Sequence, residues 1–401
     1  MTRHRPSLGD ADSGRPSRTP IGYADHPRYS VRRTGSVGAA VLCAVAAGPV
    51  SGGQLVLLAK PFGGVLGVPG AVVGYLMLTA GVLGLFAAAL CLWRLRLSLG
   101  MASASGSLAG VAVVVAGVVD TVAVFTIAAL VAGAATGPLL LAGRALAAEF
   151  GRGNFVFLHA AGAGGVAVAA WLSGYYYEEP GTGLLIAGAL TTTLGVAVGL
   201  VGLRGAGGLP AVRVGKNSVP PRSVLFGYVA IGLAVGGTVL PALHLLLFRW
   251  NEFGAEQFIW LAFAAAPAAA IVALPGRRPA AVPVLLILAA GGALLVVTAP
   301  GPVPLTIGLA VTLAAAARAM TALDEQVWEI TPPAIGVCAL VVATAGLAGL
   351  GLVDLLGRLV GTGSALTVLG MCVLIAAWLS GRPDRRLLPG TRGSSSERGA
   401  P

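Results

Sequence analysis

The sequence predicts an all-α polytopic membrane protein: twelve transmembrane helices in two six-helix bundles, both termini cytoplasmic. Three observations lead there, namely the composition, the number of long apolar runs, and the alternation of basic residues between those runs. The 401 residues are 56% hydrophobic and only 10% charged, with a mean hydropathy of +0.89. A soluble domain carries about a quarter charged residues, so this chain has too little polar side chain to coat a water-facing surface. Its 60 glycines suit close backbone approach between helices in lipid.

A span needs about 20 mostly apolar residues, and that window places helices at 36–59, 70–93, 101–119, 121–143, 154–177 and 182–203. Six more follow at 223–248, 257–275, 280–299, 303–322, 333–355 and 360–380. Only Asp120 and Thr121 separate the third run from the fourth. One continuous helix there would be twice as long as a bilayer is thick, so two helices joined by a tight turn are expected.

Basic residues concentrate in cytoplasmic loops. With the N-terminus inside, 23 of the 26 Lys and Arg fall in inner segments, and only Lys60, Arg249 and Arg358 fall outside. Miscounting one helix would scramble this alternation. Aromatics at predicted helix ends (Trp93, Tyr175 to Tyr177, Trp250, Phe253, Trp378) fit interfacial positions as well as ordinary packing.

The domain organisation follows. Residues 1–34, with seven Arg and no apolar stretch of signal-peptide type, are expected to be a disordered basic cytoplasmic tail. Residues 35–203 form the first six-helix bundle and 223–380 the second, and 381–401 are a second disordered cytoplasmic tail. Between the bundles lies 204–222, "RGAGGLPAVRVGKNSVPPR", a basic, proline-containing cytoplasmic loop. The net charge of +11 is topology information and contact with anionic headgroups rather than a nucleic-acid footprint. The four cysteines, Cys43, Cys91, Cys338 and Cys372, sit in apolar runs without metal or redox spacing.

Six helices, a basic central loop and six more helices, with both ends inside, resemble the major facilitator superfamily of transporters over about residues 36–380. Its Gly-Asp-Arg-Gly-Arg-like signature between the second and third helices is represented by "LWRLRLSLG", which keeps Arg94 and Arg96 but lacks the Asp and the glycine framework. "PGRRP", with Gly276, Arg277 and Arg278, resembles the end of the same signature in the second half. Proton-coupled members often carry an Arg within the fourth helix; here Arg144 sits at the inner end of that run. Exporters often carry Gly-Pro-Gly-Gly in the fifth helix, and "HAAGAGGVAVAAWLSG" has the glycines without the proline. The resemblance implies a central cavity lined by the first, fourth, seventh and tenth helices, with the two halves rocking around it.

Ionisable residues at membrane depth are functional candidates by default. His159 can relay protons or make a plain interhelical hydrogen bond, His244 towards the outer end of the seventh run can face the cavity, and Gln54 can bind substrate or tie helices together. Asp120 reads as a proton carrier if buried or as a turn residue. Asp354 reads the same way, or as the partner of Arg358 four residues on. Arg318 with Asp324, Glu325 and Glu329 forms a mixed-charge group between the tenth and eleventh spans, either an inner gate or a solvated loop. Arg94, Arg96, Arg277 and Arg278 join Arg318 and Asp324 as inner-gate candidates.

The expected function is secondary active transport of small molecules across the cell (inner) membrane, as an exporter of neutral or amphipathic compounds by alternating access, with protons as the candidate coupling ion. The alternative is a transporter-like scaffold or sensor without transport activity. Catalytic motifs such as HExxH, GxSxG or a phosphate-binding Gly-Lys-Ser/Thr loop do not occur, so no enzyme activity, metal or cofactor is expected. The partners are a small-molecule substrate and the lipid bilayer, with no nucleic acid.

Overall fold

The computed structural model describes residues 27–47, 58–93, 98–204, 220–239, 241, 282–331 and 334–380, and among these every regular element is a helix. Those of the first half are α1 (Pro27–Ala47), α2 (Ala59–Leu66), α3 (Gly70–Trp93), α4 (Leu99–Val118), α5 (Val122–Phe150), α6 (Asn154–Tyr175) and α7 (Pro180–Arg204). The second half contributes α8 (Arg222–Ala234), continued by a π turn over Val235–Val239, then α9 (Val282–Thr298), α10 (Pro302–Ile330), α11 (Ile335–Val360) and α12 (Thr362–Ser380). Eight of the described helices are long and apolar enough to cross a bilayer. Large apolar side chains cover their outer faces, Phe86 and Trp93 at 67% exposure and Leu359 at 72%, as a lipid-facing surface requires.

The predicted spans at 70–93, 101–119, 154–177, 182–203, 280–299 and 360–380 match α3, α4, α6, α7, α9 and α12 closely. The tight turn is real: α4 ends at Val118 and α5 starts at Val122, with Asp120 exposed between them. Ser98 caps α4 by accepting from the Met101 amide at 3.1 Å. Three boundaries differ from expectation. α1 starts at Pro27 and so reaches back into the stretch expected to be a disordered tail. α5 and α10 each run 29 residues and extend past the predicted ends at 143 and 322. The charged stretches taken as inner loops are therefore partly helical. The 257–275 span lies outside the described residues.

Small residues set the helix spacing. A Cβ on Gly110 would sit 2.7 Å from the Gly188 carbonyl oxygen, locking α4 onto α7, and one on Gly133 would sit 2.3 Å from that of Ala80, locking α5 onto α3. In the second half, a Cβ on Gly236 within the π turn would lie 1.9 Å from the Gly346 carbonyl oxygen of α11. Backbones this close replace the hydrophobic drive that lipid does not supply. Gly151, at φ 107°, reverses the chain between α5 and α6 in a conformation other residues rarely adopt.

Two large apolar cores result among the described residues. One lies within the first half, with Phe62 and Phe125 at 5.2 Å between ring centroids. The other joins both halves through Leu42, Leu139, Leu158, Tyr228, Leu323 and Ile335. Between the halves, α10 packs on α6, and α11 packs on α3 and α5.

Candidate functional site: a buried ionic cluster joining the two halves

Four helices bring one polar side chain each to a common point inside the shared core: Arg144 from α5, His159 from α6, Tyr228 from α8 and Asp324 from α10. Each lies five or six residues from the inner end of its helix, the end the basic-residue bias assigns to the cytoplasm. At 1.5 Å of rise per residue that depth is roughly 8–9 Å. Asp324 is 0% exposed, Arg144 3% and His159 7%.

Asp324 is the hub. Its Oδ2 accepts from His159 Nε2 at 2.6 Å and pairs with Arg144 Nε at 3.4 Å, while its Oδ1 accepts from the Tyr228 hydroxyl. An ionised carboxylate only accepts, so the geometry puts the His159 ring proton on Nε2. Arg144 Nη2 donates to the Met320 sulfur at 3.4 Å, and its guanidinium lies 5.7 Å from the Tyr228 ring centroid. Arg144 Nη1 is buried and has no hydrogen-bond partner among the described residues. A buried ion pair is tolerable only when hydrogen bonds replace the lost water. Asp324 meets that condition through two hydrogen bonds beside the ion pair; Arg144 meets it incompletely.

A second layer lies nearer the surface. Arg152, in the turn after α5, donates from Nε to Glu325 Oε2 at 3.0 Å and from Nη1 to Glu329. The Glu325 hydrogen bond raises the Arg152 guanidinium above its usual range. The Trp328 indole N–H donates to the Ala148 carbonyl at 2.7 Å. Helical spacing sorts these contacts, since residues four apart share a face. Asp324 and Trp328 form one row on α10, and Glu325 and Glu329 form the next.

The structure thus gathers Asp324 and His159 from the expected residues and, among the described ones, places Asp120 and Asp354 elsewhere. The solvated-loop alternative for the charged group around Asp324 is overturned, because α10 continues through it and Asp324 is buried. Arg318 is half-buried on α10, six residues before Asp324 and so about 120° around the helix. Asp120 is the exposed turn residue. Asp354 pairs with Arg358 at 3.2 Å, the expected four-residue bridge, and accepts from the Tyr75 hydroxyl of α3 at 3.4 Å. Gln54, His244, Arg94, Arg96, Arg277 and Arg278 lie outside the described residues. Sequence reasoning missed Tyr228, Arg152 and Trp328, and it noted Arg144 without making it a candidate. The available signal was a Tyr one to two turns inside one apolar run and an Arg at the inner end of another.

No protein-family model matches the sequence, and no curated protein matches it. Solved structures do match. The crystal structure of the human organic anion transporter MFSD10 (TETRAN) aligns over 89% of this chain and 100% of its own, with a TM-score of 0.62 at 17% identity. The proton:xylose symporter XylE, of the major facilitator superfamily, aligns over 88% of this chain and 94% of its own, with a TM-score of 0.57 at 14% identity. At such identity the likeness is one of fold. The chain has the major facilitator fold, a multi-pass helical membrane architecture, and both similar structures are transporters rather than enzymes.

Proposed function

We propose that this protein is a secondary active transporter of the cell membrane, exporting neutral or amphipathic small molecules by alternating access, with protons as the coupling ion. Residues 35–203 and 223–380 act as the two moving bundles, 204–222 as their cytoplasmic connection, and both tails lie inside. One observation carries the reading. The buried Arg144–His159–Asp324–Tyr228 cluster ties α5 and α6 of the first half to α8 and α10 of the second, near the inner ends of all four. Such a cluster suits an inner gate. Opening to the cytoplasm has to draw Asp324 away from Arg144 and His159, and a proton taken up at Asp324 removes the charge that holds the halves together. The similar fold of a proton symporter agrees with proton coupling.

The test is efflux. Cells lacking their main exporters, expressing the protein and loaded with lipophilic dyes and antibiotics, are expected to lose them faster, and a protonophore is expected to abolish the gain. No accelerated loss across a broad panel would move the protein to the non-transporting scaffold or sensor alternative.

A further inference from the structure

The buried cluster holds more donors than its one carboxylate uses. Asp324 meets Arg144 at Nε, 3.4 Å away. Arg144 Nη2 turns to the Met320 sulfur, a weak acceptor, and Nη1 is buried with no hydrogen-bond partner among the described residues. A guanidinium N–H left without an acceptor away from water is destabilising and calls for an explanation.

The division between helices sharpens the point. Arg144 and His159 stand on α5 and α6 of the first half, and Asp324 and Tyr228 on α10 and α8 of the second. Parting the halves at the inner side removes the carboxylate from both donors at once. It leaves an arginine and a histidine side by side, facing the opening without an anion. A planar carboxylate is the natural complement of a guanidinium, which offers it two parallel N–H donors. The shared core in which this point lies includes Leu42, Leu139, Leu158 and Leu323, all apolar and fully buried or nearly so. A ligand held there is charged at one end and apolar over the rest.

We propose that Arg144 and His159 form the recognition site for the carboxylate of an amphipathic organic acid, which enters from the inner side and takes the position Asp324 holds in the closed structure. This rests on the transporter reading above and narrows its substrate class. Asp324 is then an internal competitor, tethered at high effective concentration, and substrate binding and gate opening are the same exchange.

The test is equilibrium binding of phenylacetate, phenylacetamide and phenethylamine to the full chain in lipid nanodiscs, followed by ligand-observed NMR. The native protein is expected to bind the acid about tenfold more tightly than the amide or the amine, the size of one charge-assisted contact. Arg144→Gln should erase that preference. Asp324→Asn, by removing the competitor, should tighten phenylacetate about tenfold; a merely structural bridge would give no tightening. Equal binding of acid and amide by the native protein overturns the proposal, and that arm needs no variant to fold. Weaker acid binding by a folded Asp324→Asn protein overturns it too, as does displacement of phenylacetate by equimolar chloride, which would make the site one for small inorganic anions. Protonophore-sensitive dye efflux without acid preference leaves the transporter reading standing and removes only this one. Acid preference without any efflux does the reverse.

Discussion

The two halves touch through polar groups at both ends of the bundle, and the two contacts are built differently. At the inner end Asp324, Arg144 and His159 are buried, with Asp324 bonded from three helices. At the outer end Tyr75 of α3 reaches Asp354 of α11 at 3.4 Å while Arg358 bridges Asp354 and lies 4.9 Å from the Tyr75 ring centroid. There the Asp354 and Arg358 side chains are 44% and 51% exposed. The same residue chemistry therefore has opposite consequences. A buried charge that loses its partner is stranded in a medium that cannot solvate it, whereas an exposed pair exchanges its partner for water at little cost. In the proposed alternating-access reading the inner contact acts as an all-or-none latch. The outer one is a weak guide that yields readily.

The largest effect is expected from breaking the inner contact on one side only. Asp324→Ala strands Arg144 with no carboxylate and should destabilise the protein by ~3–5 kcal/mol, read as a fall in thermal unfolding temperature in detergent or nanodiscs. Pairing it with Arg144→Met removes both charges and should recover most of that loss, since a well-packed apolar pair is often no worse than a buried bridge. A double variant as unstable as the sum of the singles would show that the two side chains act independently.

Next comes conformational bias. Cys338 on α11 is buried within the core that surrounds the inner cluster. Thiol labelling of Cys338 by a membrane-permeant maleimide should accelerate in Asp324→Asn as the halves part, and should stay at the native rate in Asp354→Asn. Equal acceleration in both variants would erase the distinction between latch and guide.

The Arg152 layer is intermediate. Its side chain is 41% exposed against Glu325 at 13% and Glu329 at 47%. Arg152→Ala should therefore lose only about 1 kcal/mol at low salt. That loss should shrink as ionic strength approaches 0.5 M, because screening acts over a few ångströms there. An undiminished loss at high salt would place Arg152 with the buried group.

The same contrast explains what the sequence disclosed. Apolar length and basic alternation depend on the bilayer alone, so α3 (Gly70–Trp93) and the Asp120 turn between α4 and α5 were legible without tertiary information. The end of α10 was not. Arg318, Asp324, Glu325 and Glu329 depress local hydropathy and read as the end of a span, yet the helix continues to Ile330 because α5, α6 and the turn between them supply partners for Asp324, Glu325 and Glu329. Those partners lie more than 160 residues away in the chain, and no local pattern encodes them. Tyr228 escaped for a related reason. A tyrosine early in a span reads as an interfacial anchor, and only the structure turns its hydroxyl toward Asp324. Asp354 was legible as half of a four-residue pair, because Arg358 sits on the same helix.

The smallest expected effect is also the most direct check on the outer contact. Tyr75→Phe removes one exposed hydrogen bond of 3.4 Å but keeps the ring over which the Arg358 guanidinium sits. Asp354→Asn removes the negative charge that both contacts share. If the outer contact is a solvent-screened guide, Tyr75→Phe should change stability by less than about 0.5 kcal/mol, and Asp354→Asn by at most about 1 kcal/mol at low salt and near zero at high salt. The ring contact should resist salt better than the bridge does, because part of its attraction is apolar contact with the arginine side chain. Tyr75→Ala should then exceed Tyr75→Phe at every ionic strength. A loss for Asp354→Asn approaching that of Asp324→Ala would mean that the outer side is also a latch. The protein would then have to break two strong contacts in turn, and the outer ends of α3 and α11 would become a second gate with its own energetic threshold.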